Sequence, residues 1–228
     1  MNIKRELGRS AKYDLISFDI FDTLIKRDVI NPVDVFYQVG SEVLLNEVDA
    51  TKFKERRIKA EQDARKKTDN GEVNLIDIYR ELFRYYGINT CILKEKEIDF
   101  EIHHCTPREK WVNLLKAFKE KGEKVILISD MYLPSSVISQ MLVRCGITEY
   151  EGLYVSNEYG CDKVSGKLYE IARDQEKMDG CSHLHYGDSV MADYLGARKG
   201  GATPRLVFKE KYVAWFLDRI IRKIRRLM

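Results

Sequence analysis

The sequence predicts an α/β fold in which a parallel sheet lies between helices and a helical cap is inserted early in the chain. Three observations carry this prediction. Five short β-rich runs recur along the chain, and four of them are separated from the next by a segment of helical character. The runs are nearly continuous in apolar residues, as strands buried on both faces are. Strands that alternate with helices form βαβ units, which build parallel sheets.

The first run is residues 15–20 (LISFDI). Residues 28–106 follow, too long a stretch for one crossover helix and mostly helical in pattern. Phe36, Val39, Val43 and Leu44 share helical spacing, as do Ile76, Tyr79, Leu82 and Phe83. Asp69, Asn70 and Gly71 mark a turn between two such segments. Residues 52–67 (KFKERRIKAEQDARKK) form a highly charged helix, best explained as a solvated face. The second run is residues 124–129 (KVILIS), the third 152–156 (GLYVS), the fourth 183–187 (HLHYG) and the fifth 204–208 (PRLVF). Helical patterns occupy residues 108–121, 135–145, 167–177 and 191–199. The expected division is a core of residues 13–27 and 107–208, a cap of residues 28–106 and a tail of residues 209–228.

Composition bounds the function. The chain has 228 residues, 44% hydrophobic and 33% charged, which excludes a disordered protein. The net charge of +3 is too close to neutral to mark a nucleic-acid binder. The first residues are charged and lack an apolar core, so they are no secretory signal. No apolar run approaches the roughly 20 residues that span a bilayer. Cys91, Cys105, Cys145, Cys161 and Cys181 are scattered and odd in number, without a C-x-x-C pair. Reduced thiols in or near the core of a cytoplasmic protein are expected, not a zinc site or a disulfide framework.

In an open parallel sheet, ligands bind beyond the carboxyl ends of the strands. The first strand ends in Asp19, with Phe21, Asp22 and Thr23 just after it. A carboxylate in that place can attack phosphorus or carbon and form a covalent intermediate. The second strand ends in Ser129 and Asp130, where a hydroxyl can hold a phosphoryl oxygen. The fourth ends in Gly187, Asp188 and Ser189, followed by Asp193, and paired acids there suit a hard cation such as magnesium. Between them lies Lys163, which would neutralise nearby carboxylates and stabilise charge developing in transfer. Each feature alone is an ordinary cap, turn or surface residue. Their occurrence together, in order, carries the argument.

That combination resembles the haloacid dehalogenase-like hydrolases across about residues 13–208. FDIFDTL at 18–24 is similar to the family's first motif, Ser129 to its second, Lys163 to its third and GDSVMAD at 187–193 to its fourth. The resemblance implies a Rossmann-like three-layer core with a C1-type cap. It implies Asp19 as nucleophile, with Ser129 and Lys163 holding phosphoryl oxygens. Magnesium would be held by Asp19, the Phe21 carbonyl and Asp188, with Asp193 in support. Thr23 and Asp130 are the candidate substrate-binding side chains. FDIFDTL, SDMYLP and K-x-x-G-K-L-Y also resemble a bacterial subgroup of hydrolases that often occur beside, or fused to, glycosyltransferases of surface-polysaccharide synthesis.

One departure matters. Family phosphatases carry an acid–base Asp two residues after the nucleophile, where this chain has Phe21. Losing that group typically forfeits about 10²–10⁴-fold in rate. Three outcomes follow: a substrate with a good leaving group, a proton supplied by Asp22 or a cap residue, or a slow enzyme with a mainly binding role. The leading expectation is a magnesium-dependent phosphatase for a small phosphorylated metabolite such as a sugar phosphate. The alternatives are a metal-independent dehalogenase, a binding module working with a glycosyltransferase, and a membrane-surface scaffold.

Secondary features complete the reading. His103 and His104 are adjacent and do not face each other on a helix, so a hinge or cap-lining role is expected, not a metal site. Tyr132 is expected to approach the site from its loop. Residues 209–228 hold seven Lys or Arg and two acids, and residues 212–228 pattern as a basic amphipathic helix. Packing on the core or on an adjoining domain is favoured over contact with an anionic membrane surface.

Overall fold

A computed structural model describes residues 2–44 and 46–207. The elements, in chain order, are α1 (Ile3–Ser10), β1 (Leu15–Phe18), β2 (Ile25–Arg27), α2 (Asp34–Leu44), α3 (Glu47–Arg65), α4 (Leu75–Tyr86) and α5 (Asn89–His103). They continue with β3 (Cys105–Pro107), α6 (Glu109–Glu120), β4 (Val125–Ser129), α7 (Ser135–Arg144), β5 (Gly152–Val155) and the single turn α8 (Ser156–Tyr159). The last are α9 (Lys167–Gln175), β6 (His183–Gly187), a π-helical segment (Val190–Gly196), the short α10 (Ala197–Lys199) and β7 (Thr203–Leu206).

The five expected strands form one parallel sheet in the order β5-β4-β1-β6-β7. Every residue of β1, β4 and β6 is buried. The alternation of side chains across the sheet defines two inner faces. Ile16, Phe18, Leu184 and Tyr186 join the larger core with Leu114, Leu115 and Phe118 of α6. Phe18 stacks on Tyr186 at 4.9 Å. On the other face Leu15, Ile126 and Ile128 pack against Leu168, Tyr169 and Ala172 of α9. This is a Rossmann-like, three-layer α/β architecture.

Residues between β2 and β3 fold as four helices, α2–α5. Asn46 caps α3, and Asn74 with Asp77 forms a capping box on α4. Phe36, Val39, Tyr79 and Leu82 are buried as their spacing predicts, but Ile76 and Phe83 are exposed, so the apolar stripe is wider than the face that packs. The charged run in α3 is solvated with one exception. Arg57 is fully buried, donating to both oxygens of Glu97 at 2.7 and 2.8 Å and lying over the rings of Phe36 and Tyr132. Burial without such partners would cost several kcal/mol per ion.

Three elements are additions to the sequence-based picture. Helix α1 docks through Glu6, which accepts from the Tyr186 hydroxyl and from Arg205, each at 3.0 Å. Strands β2 and β3 pair antiparallel, with Arg27 opposite Cys105. The expected helix at residues 191–199 is a π segment followed by one α turn. Cys105, Cys145 and Cys161 are buried and Cys91 is exposed, all as free thiols. Among the described residues no helix is long and apolar enough to cross a membrane. The expected helix at residues 212–228 lies outside the described residues.

Candidate active site

Parallel strands deliver their carboxyl ends to one edge. Phe18 pairs in register with Leu127 of β4 and Tyr186 of β6, so Asp19 emerges between Ser129 and the Gly187–Asp188 pair. The Asp19 N–H donates to the Tyr186 carbonyl at 2.8 Å, extending the ladder one residue past β1. The chain then folds into a tight turn in which Leu24 and Ile25 both donate to the Ile20 carbonyl, at 2.8 and 3.0 Å. Asp22 takes the left-handed conformation there, with φ of 60°.

Lys163 is almost wholly buried, and its ammonium donates to Asp19 Oδ1 and Asp193 Oδ1, both at 2.6 Å. Its backbone N–H donates to Asp130 Oδ1 at 2.8 Å, so the second and third motifs are joined directly. Glycine makes that approach possible. A methyl group on Gly196 would collide with the Lys163 carbonyl, and one on Gly187 would collide with the Asp193 carboxyl. Burial alone would lower the Lys163 pKa, but the two carboxylates outweigh it and hold the amine charged.

The two acids share one lysine at equal distance yet titrate in opposite directions. Burial pushes the Asp19 carboxyl up to about 7, against the pull of Lys163 and with the help of Asp193 and Asp188. Burial also opposes ionisation of Asp193, but Lys163 and His185 outweigh it and hold the carboxyl well below its usual range. The difference follows from the donors. Asp193 Oδ1 accepts from Lys163 and from His185 at 3.2 Å, and its Oδ2 accepts from the Ser189 N–H at 2.8 Å. Asp19 Oδ2 is buried and has no hydrogen-bond partner among the described residues.

An orphaned buried carboxylate oxygen calls for an explanation. One oxygen from each of Asp19, Asp188 and Asp193 lies within 4.8 Å of the others. Three carboxylates around one ammonium leave an excess of negative charge, and oxygen donors suit a hard divalent cation. The residues fit a metal, with Asp19 Oδ2 buried and without a partner among the described residues. Asp193 already accepts at both oxygens.

The remaining candidates divide. Ser129 is buried at the end of β4, and Asp130 lines a cleft of about 370 Å³ between the sheet edge and the helices α2 and α3. Tyr132 lines the same cleft and is largely buried, with its ring packed under Arg57. The Phe21 ring carries the Arg27 guanidinium at 4.3 Å. Asp22 is outside the carboxylate cluster, and its charge acts on Arg27. Thr23 is fully buried, and its hydroxyl is the second side-chain oxygen without a partner among the described residues. His103 and His104 each bond a separate carbonyl at the end of α5, where the chain returns to the sheet. Sequence reasoning missed His185, Ser17 and Arg27. For His185 and Ser17 the available signal was a polar residue inside a buried strand, and for Arg27 there was none.

Comparison with known proteins agrees with this fold. The sequence model of haloacid dehalogenase-like hydrolases matches residues 13–201. No curated protein matches the chain. Among solved structures, the magnesium-bound YfnB of Bacillus subtilis is similar with a TM-score of 0.58 and 17% identity, over 91% of this chain and 99% of that one. The 2-haloacid dehalogenase of Pseudomonas syringae pv. Tomato DC3000 gives 0.62 and 18%, over 83% and 84%. The HAD phosphatase of Thermococcus onnurineus gives 0.61 and 15%, over 86% and 87%. At these identities the likeness is one of fold.

Proposed function

This chain belongs to the haloacid dehalogenase-like hydrolases, and from that premise we propose that it is a magnesium-dependent phosphatase acting on a small phosphorylated metabolite. The observation that carries the reading is Asp19: one oxygen is held by Lys163, the other is buried without a partner among the described residues, and the carboxylate groups with those of Asp188 and Asp193. A carboxylate that attacked carbon with no cation present would have little use for two further acids beside it.

In the proposed reaction Asp19 attacks phosphorus in line and forms an aspartyl-phosphate, which water then cleaves. Lys163 holds the nucleophile in place and neutralises charge on the transferring group, and the Ser129 hydroxyl donates to one of its oxygens. A cation bound by Asp19, Asp188 and the Phe21 carbonyl would supply further charge neutralisation. Because Phe21 stands where an acid is usual, and Asp22 lies outside the carboxylate cluster, the leaving group departs with little proton assistance. That favours substrates whose leaving group needs none, such as acyl phosphates and anomeric sugar phosphates.

The helices α2–α5 act as the cap, and the cleft they share with the sheet edge receives the rest of the substrate. Its cations are already matched. Arg27 donates to Glu101 at 2.7 Å, and Arg65 donates to Glu61 at 2.9 and 3.1 Å. A neutral, hydroxyl-bearing group suits such a lining better than a second phosphate does.

The test is hydrolysis of a panel of sugar phosphates, acyl phosphates and nucleotides, with and without magnesium, alongside Asp19→Asn. Magnesium-dependent release of phosphate that Asp19→Asn abolishes is the expected result. A second reading, dehalogenase chemistry, is favoured by Phe21 alone. Halide release from 2-haloacids that survives EDTA would replace the phosphatase reading with it.

A further inference from the structure

Beneath Asp19 and Lys163, on the α9 side of the sheet, runs a line of buried polar side chains that the proposed chemistry does not use. His183 and His185 are two apart on β6 and so share a face. Ser17 of β1 is the register partner of His185 on that same face. The Ser17 hydroxyl lies 2.7 Å from His183 Nε2 and 2.7 Å from His185 Nδ1. His185 Nε2 lies 3.2 Å from Asp193 Oδ1, which also takes the Lys163 ammonium at 2.6 Å. At the far end Arg173 of α9 comes within 3.5 Å of His183 Nδ1. Ser17, His183, His185 and Asp193 are all essentially inaccessible to solvent.

Burying four polar side chains in a sheet core is costly unless each is satisfied, and here each is. The Tyr169 ring meets the His185 ring edge-on at 4.9 Å and leaves the imidazole little freedom to turn. We infer that Ser17, His183 and His185 are positioning residues: a continuous hydrogen-bonded line that fixes the Asp193 carboxylate and, through it, the Lys163 ammonium against Asp19.

The line has a defined direction. The Arg173 guanidinium only donates, so His183 Nδ1 accepts from it. At the other end the Asp193 carboxylate already accepts from Lys163 and from the Ser189 N–H, and it accepts from His185 too, whose proton is therefore on Nε2. Its Nδ1 then accepts from the Ser17 hydroxyl. That hydroxyl can in turn accept only from a proton on His183 Nε2, which leaves His183 Nδ1 to accept from Arg173. Every donor points toward Asp193. Reversing any one link leaves two donors, or two acceptors, face to face in the sheet core. An arrangement of this kind sets one orientation for the Asp193 carboxylate and excludes its rotamers.

The inference depends on the proposed function only for its kinetic arm, so two measurements are needed. The first is nitrogen-15 spectroscopy of the histidine rings in the wild-type protein at neutral pH. Both His183 and His185 are expected as Nε2–H tautomers. Either ring found as the Nδ1–H tautomer overturns the inference, whatever the protein hydrolyses. The second is steady-state hydrolysis of para-nitrophenyl phosphate with magnesium. His185→Leu and Ser17→Ala are expected to lower kcat by about 10- to 100-fold, as loss of outer partners of a metal or catalytic group typically does, with KM little changed. His185→Gln, whose amide nitrogen reaches the Nε2 position and can donate to Asp193, is expected to recover most of that loss. Leucine and glutamine variants of equal activity overturn it, since a side chain needed only for packing would not discriminate between them. Expected tautomers with an inactive wild-type protein refute the phosphatase reading and leave this line standing.

Discussion

Replacing Asp19 by asparagine separates the electrostatics of the site from its chemistry, and it needs no knowledge of the substrate. In the metal-free protein the folded state holds the Asp19 proton up to about pH 7, against 3.8 for the ordinary carboxyl. A group whose pKa rises on folding contributes stability that is complete below the unfolded pKa. That contribution is lost as pH rises through the folded one. The gap of roughly three pH units, at about 1.4 kcal/mol each, sets a ceiling of about 4 kcal/mol on the loss. Asparagine is neutral at every pH and keeps that stability. In EDTA, wild type and Asp19→Asn are therefore expected to melt together near pH 3, with the variant higher by up to about 10 °C at pH 8. Thermal melts followed by circular dichroism in the two buffers read the difference. A gap that does not change with pH, or a wild type more stable than the variant at pH 8, would refute the reasoning. Magnesium should narrow the gap at pH 8, since a ligand that binds the folded wild type adds about 2.7 kcal/mol at one hundred times its Kd.

Three further outcomes follow from the same geometry. Lys163→Met leaves two buried carboxylates without their ammonium, and urea unfolding should show a loss of about 3–5 kcal/mol that is larger at pH 8 than at pH 5. Gly187→Ala drives a methyl group into the Asp193 carboxyl, so unfolding should register about 1–3 kcal/mol of overpacking and phosphatase assays should register a fall in kcat. Glu97→Ala strands Arg57 among Phe36, Tyr79 and Tyr132 and should cost about 3–5 kcal/mol, whereas the double change Arg57→Met with Glu97→Leu should restore much of it in the same unfolding assay.

The five parallel strands were legible because strands buried on both faces write near-continuous apolar runs, and those runs are long enough to count. Strands β2 and β3 have three residues each and carry no period, so nothing in Ile25–Arg27 distinguishes a strand from a loop. The catalytic candidates were legible because Asp19, Ser129 and Asp188 each follow an apolar run, a pattern that topology alone explains. Their partners were not. Ser17 and His185 lie 168 residues apart, and only the register of β1 on β6 makes them neighbours. Arg57 sits among charged residues identical to it in type, and what buries it is Glu97 on another helix, 40 residues away. Asp22 lies outside the carboxylate cluster, in a left-handed turn that residue types alone do not reveal.

The antiparallel pairing of β2 with β3 has a consequence for how this chain can change over evolutionary time. The two points at which the helical segment leaves and rejoins the sheet are zipped side by side, Ile25 to Pro107 and Arg27 to Cys105. The entropy of bringing those ends together is therefore met by the ladder, whatever lies between them. Lengthening, trimming or exchanging the intervening helices need not disturb the spacing of Asp19 from Ser129 and Asp188. The sheet edge that carries Asp19, Ser129 and Asp188 and the helices between β2 and β3 are thus free to diverge at separate rates.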